Sequence, residues 1–202
     1  MSMNPEHLDR IRSFRSEGPI AVCDRQMPLR ALYGVEPDAA WVFDHAHTSN
    51  AEITPSHPIH AHVICGEGIP VDVPISVHKA VGGESDFPCP GEILAAALAS
   101  CLDTAIRMIA NLKGIDLARL EVQVSLGADV RGTLMMGKNV PVGFQSARLK
   151  VDLKTKCDLP DAQLNALLDA AERSCVILQT LRAPPTVEIE RVFNGIKDNE
   201  RC

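Results

Sequence analysis

Apolar residues recur along this chain with two different periods, and the changes of period mark out its elements. From Pro90 to Gly114 the stretch PGEILAAALASCLDTAIRMIANLKG carries Leu94, Ala97, Leu98, Ala105 and Met108 at helical spacings around Cys101. From Leu159 to Leu181, LPDAQLNALLDAAERSCVILQTL sets Leu164, Leu167, Leu168 and Ala171 on the stripe that leads to Cys175. Between these helices the period falls to two. Leu120, Val122, Val124 and Leu126 alternate with Glu121, Gln123 and Ser125, and Leu149, Val151 and Leu153 alternate with Arg148, Lys150, Asp152 and Lys154. Such alternation predicts half-buried antiparallel strands. Three further strands are predicted at residues 40–49, 58–68 and 71–81, with Pro74 placing the third at an edge or on a bend, and a last short strand in PPTVEIERVF, residues 184–193.

The first long helix is well punctuated. Pro90 suits its first turn, Glu92 puts negative charge there, and Gly114 suits its end. Its polar residues form a narrow strip, so it is expected to be buried on most sides, at the centre of a domain or a dimer. The order β-β-β-α-β-β-α-β with isolated helices predicts an α+β domain. Residues 1–38 read as an N-terminal extension, because the stretch from Ser16 to Ala39 has three prolines and no sustained period; residues 39–195 form the domain and 196–202 a tail.

Composition narrows the function. A net charge of -6 without a basic stretch disfavours nucleic acid as a partner. The opening MSMNPEHLDRIRSFRSEG has no signal-peptide core, and the longest uncharged apolar run, Ile93 to Leu102, is too short to span a bilayer. The expectation is a cytoplasmic protein without a membrane partner. Seven cysteines, at 23, 65, 89, 101, 157, 175 and 202, lack any CxxC pair, which points to reduced thiols and away from structural zinc.

The segments CPGEILAAALASCLDTA and AERSCVILQTL, with a strand pair between them, resemble the OsmC/Ohr family of thiol-dependent hydroperoxide reductases. The resemblance implies an OsmC-like fold, with antiparallel sheets wrapped around two central helices in an intertwined homodimer. It implies Cys101 as the peroxidatic thiol and Cys175 as the resolving one, with a small apolar hydroperoxide as substrate, an external dithiol as reductant and no cofactor. A buried thiol needs a cation or hydrogen bond to favour its thiolate. In the Ohr branch an arginine held by a glutamate does this, and that glutamate lies ten positions before the first cysteine. Here Gly91 stands at that position and Glu92 stands nine before, as in the divergent OsmC-like branch. Glu92 is therefore a candidate site residue whose charge also suits a helix start. The cation stays open among Arg25, Arg30, Lys79 and a partner-chain residue, with Arg107 largely on the opposite face from Cys101. Val176 occupies a position where family members often have proline.

Two other readings compete. One is a non-catalytic OsmC-like module that binds an apolar small molecule at its dimer interface, with the cysteines as packing residues. The other is a metal protein. His45 and His47 share one strand face, as do His60 and His62, with His57 close by, so paired strands would let four imidazoles converge on a transition metal; solvated or hydrogen-bonded histidines are the plainer expectation. Met135 and Met136 are expected to pack, in the loop or over an apolar pocket. Cys65, Cys157 and Cys202 have no partner pattern, and Cys89, near the helix start, is an alternative resolving thiol.

Overall fold

In the computed structural model, which describes residues 21–66 and 69–193, the elements follow the apolar pattern closely in the middle of the chain and depart from it at both ends. Cys202, the predicted tail 196–202 and the first twenty residues of the predicted extension lie outside the described residues. Helix α1 spans Val22–Val35 and is followed by a 3-10 turn at Pro37–Ala40. Strands β1 (Ala46–Ser49), β2 (His60–Cys65) and β3 (Val71–Ser76) form one antiparallel sheet with β2 in the middle. A short 3-10 turn, Lys79–Val81, precedes the long helix α2, Pro90–Leu112. Strands β4 (Leu117–Gly127) and β5 (Ser146–Thr155) pair antiparallel, and helices α3 (Asp161–Ser174) and α4 (Val176–Arg182) follow. The molecule is an α+β fold with antiparallel sheets.

The register of the second sheet is the one that alternation demands. Leu120 faces Leu153, Val122 faces Val151 and Val124 faces Leu149, while Glu121, Gln123 and Ser125 meet Asp152, Lys150 and Arg148 on the other side. The apolar face packs against Leu98, Leu102, Ala105 and Ile106 of α2, and Ala171, Cys175 and Leu178 complete this cluster from the other helices. A second cluster, Ala110, Ile115 and Leu167, closes the far end of α2. Gly114 ends that helix with φ +67°, a left-handed conformation that glycine adopts without strain.

Only one face of α2 is buried. Ser100, Thr104, Arg107 and Asn111 are exposed, and so are Ala96, Met108 and Leu112. This corrects the expectation of burial on most sides, at least for the single chain. By length and composition α2 is also apolar enough to cross a membrane, which the shorter run Ile93–Leu102 had not indicated. Its packing on β4, β5, α3 and α4 is that of a core helix.

The expected extension contains a helix. Helix α1 forms despite Pro28 in its interior, has no buried residue, and is tied on by its first amide, which donates to Asn111 Oδ1 at 2.9 Å. The interior proline breaks the pattern by which a helix is read, since proline removes one ladder bond. The strand expected at 40–49 is reduced to Ala46–Ser49, with Trp41, Val42 and Phe43 extended and exposed. The strand expected at 71–81 stops at Ser76, where the chain turns. Residues 184–193 do not form the expected last strand: among the described residues no strand pairs with them, and Val187 and Ile189 are 78% and 74% exposed.

Candidate functional site

The helix predicted over 159–181 is two helices, and the break falls on Cys175. Its backbone is extended, at φ -78° and ψ 103°, so it ends α3 and stands at the N-cap of α4. Side chains of α4 and α3 satisfy the interrupted turn. Gln179 Nε2 donates to the Glu172 carbonyl at 2.7 Å, Arg182 pairs with the Glu172 carboxylate at 2.8 Å, and Ser174 Oγ donates to the Ala171 carbonyl at 3.1 Å. The Gln179 and Ser174 bonds take up backbone carbonyls at the break, and the Arg182 pair ties α4 to α3. The break turns Cys175 into the core, where it is fully buried.

Cys101, on α2, packs against the same cluster and is half-buried. The structure thus brings together the two cysteines singled out from sequence, both as free thiols. Burial pushes the Cys175 thiol above its ordinary value of 9.0. The Leu178 and Ile177 amides at the start of α4 oppose that rise, while the Cys101 thiol adds to it, as hydrogen-bond partner and as neighbouring negative charge. None of the groups acting on Cys175 is cationic. Cys175 is the sulfur whose thiolate burial disfavours, and Cys101 is the one with access to solvent.

Glu92 is placed elsewhere. Its carboxylate accepts the Cys89 amide at 2.8 Å in a capping box at the start of α2. Hydrogen bonds from the Cys89 amide and then its thiol hold the Glu92 carboxyl below its ordinary value; burial opposes them and His78 adds a small push. Nine residues of helix separate it from Cys101, roughly 13 Å of axial rise, so it does not touch that sulfur. Cys89 is about 18 Å away by the same rise, which removes it as a resolving partner within one chain. Arg107 is committed to Asp103 at 2.7 Å, and Arg30 bonds Gln26 at 3.4 Å.

Gly91 lies against an aromatic ring. A Cβ there would lie 2.9 Å from Phe144 Cζ, so the Phe144 ring lies where a side chain at 91 would start. Phe144 comes from the connector between β4 and β5, a region whose pairing with α2 the sequence pattern does not reveal. Met135 and Met136 in that connector are 90% and 69% exposed, and cover nothing in this chain. Asp129 and Arg131 clasp the connector, and bonds from Arg131 hold the Asp129 carboxyl at about 2. A cavity of about 280 Å³ beside Arg107, Asn111 and Asp116 has neither thiol in its wall.

The strand histidines do not converge. His62 Nδ1 bonds Asp72 at 2.9 Å, whereas His60 Nε2 meets both Asp86 oxygens, at 3.1 and 3.0 Å. Register puts His47 opposite Ile64, beyond His62 on the same face. Among the described residues, the one group of donors close enough to share a metal is His60, Glu84 and Asp86, which contains a single strand histidine.

A thiol pair in the core, one member on the long central helix and one at a helix break, defines the class to which this architecture belongs. The sequence model of the OsmC-like proteins matches residues 82–190, and the chain belongs to that family. Solved structures share its fold. An organic hydroperoxide resistance protein OsmC from Legionella pneumophila is 20% identical over 71% of this chain and 92% of its own, with a TM-score of 0.53. An OsmC-like protein from Mycoplasma pneumoniae is 12% identical over 71% and 89%, with a TM-score of 0.54. An OsmC-like protein of unknown function from Vibrio cholerae is 16% identical over 69% and 94%, with a TM-score of 0.52. No curated protein matches the chain in sequence.

Proposed function

We propose that this chain is a thiol-dependent reductase of organic hydroperoxides, with Cys101 as the attacking and Cys175 as the resolving sulfur. The observation that carries the reading is the meeting of these two free thiols in one apolar cluster, from helices far apart in sequence. The family, and the hydroperoxide resistance named for the Legionella protein, support the substrate class. The Cys101 thiolate attacks one oxygen of ROOH. An S–O bond forms, the O–O bond breaks, and the alkoxide leaves as ROH after taking a proton. The sulfenic acid then condenses with the Cys175 thiol, forming the disulfide and releasing water. An external dithiol restores both thiols by exchange. The division of labour follows burial: the solvent-reachable sulfur meets the peroxide, and the sheltered one meets only its partner.

A homodimer completes this reading. Support comes from the exposed flank of α2 and from two extended apolar segments, Trp41–Phe43 and 184–193, that have no strand partner in one chain. A second copy would cover them and would supply the cation that the Cys101 thiolate needs, since none of the groups acting on its neighbour Cys175 is cationic. That same lack of a cation favours the second reading, a module in which the thiols only pack and an apolar small molecule binds at the dimer interface.

Turnover separates the two. With an alkyl hydroperoxide and a dithiol, the wild type is expected to consume peroxide and Cys101→Ser to lose that activity. Cys175→Ser is expected to stop after one equivalent, with a sulfenic acid at Cys101 that a dimedone-type reagent traps. Equal peroxide consumption by wild type and Cys101→Ser would overturn the enzyme reading.

A further inference from the structure

A second constellation lies apart from the thiols, where the start of β2 meets the loop between β3 and α2. His60 Nε2 stands 3.1 and 3.0 Å from the Asp86 oxygens, and the ligand atoms of His60, Glu84 and Asp86 all lie within 4.8 Å of one another. Donor atoms held about 2.0–2.2 Å from a zinc ion stand roughly 3.0–3.5 Å apart. The His60–Asp86 separation is already in that range, and Glu84, which is exposed, closes the rest by side-chain rotation.

The surroundings hold these donors in place. Ser76, buried to 2% exposure, lies beside Asp86 and donates its hydroxyl to the Val77 carbonyl at 3.2 Å, and His60 has a second imidazole, His57, at a ring-centroid distance of 5.1 Å and the edge-on ring of Phe87 at 6.1 Å. The loop that carries the two acids is itself pinned: Lys79 N donates to Ser85 Oγ at 2.8 Å, and Ser85 has φ +55°. Supporting bonds of this kind orient the ligands of a metal site. An ion pair between His60 and Asp86 accounts for those two residues alone. It gives no part to Glu84, whose carboxylate lies within 4.8 Å of both.

We propose that His60, Glu84 and Asp86 bind a divalent transition-metal ion. One nitrogen and two carboxylates suit zinc and its neighbours, with an open position for water. The site shares no residue with the thiol pair and stands or falls separately from the peroxidase reading.

Cobalt(II) and zinc(II) added to the chelator-treated full-length protein test it. The expected result is one equivalent of Co(II) with visible d–d bands and no near-ultraviolet charge-transfer band from sulfur, displaced by Zn(II). Affinity is expected to fall at least tenfold in Asp86→Asn and in the exposed, fold-neutral Glu84→Gln. His62→Ala, whose ring is paired with Asp72, is expected to bind as the wild type does. A sulfur charge-transfer band, no binding of either ion, or unchanged affinity in Glu84→Gln and Asp86→Asn would overturn the proposal.

Discussion

At the scale of single residues, function and stability rest on different positions. Leu167 is fully buried between α2 and α3, so Leu167→Ala is expected to cost about 2–5 kcal/mol in urea unfolding; a loss no larger than that of an exposed leucine would contradict the core described here. Asp129 gives a pH signature. Its folded carboxyl is held at about 2 against an ordinary 3.8, so its contribution is present above 3.8 and is lost as pH falls through about 2. The difference in thermal midpoint between wild type and Asp129→Asn is therefore expected to be full at neutral pH and to close across that interval; a difference that persists below it would show that the Arg131 clasp is not what Asp129 provides. Cys101 and Cys175 were legible because each lies on an apolar stripe. The role of Glu92 was not, because a carboxylate in the first turn reads the same whether it caps the helix or serves a site. His60 was visible as one of several strand histidines, but its partners Glu84 and Asp86 lie in a loop whose path no periodicity records.

Among elements, the middle of the chain was readable and the ends were not. Helix α2 and the β4–β5 pair have one face buried and one exposed inside a single chain, so their periods survive in the sequence. Helix α1 has no buried residue and carries an interior proline, so its pattern has no apolar stripe to follow. The break at Cys175 was hidden because the apolar stripe runs straight through it. That break makes the position of Val176 one that a proline would fit. This residue opens α4, where an amide has no acceptor within the helix, and the extended Cys175 before it suits a following proline. Val176→Pro is accordingly expected to change stability by less than about 1 kcal/mol. Thr180→Pro, inside α4, is expected to cost about 3 kcal/mol or more. Equal losses in the two variants, measured by denaturant unfolding, would show that α3 and α4 behave as one continuous helix.

For the whole molecule, the outstanding feature is apolar surface that one chain does not cover. Residues 184–193 have the alternation of a strand without a partner strand, and Trp41–Phe43 are just as exposed. The alternation predicts a strand here, and among the described residues no strand forms at 184–193. Sedimentation is expected to give twice the 21.8 kDa chain mass, and the pair Val187→Glu and Ile189→Glu to shift it toward the monomer; a wild type that sediments as a monomer at micromolar concentration would contradict the dimer. The account as a whole turns on whether the Cys101 and Cys175 sulfurs react with each other. One equivalent of alkyl hydroperoxide, added to the reduced protein and followed by peptide mapping in a mass spectrometer, tests this directly. The predicted product is a single new link between the peptides holding Cys101 and Cys175, reversed by dithiol. Two unmodified peptides, or oxidation confined to Cys23, Cys65 or Cys157, would contradict it.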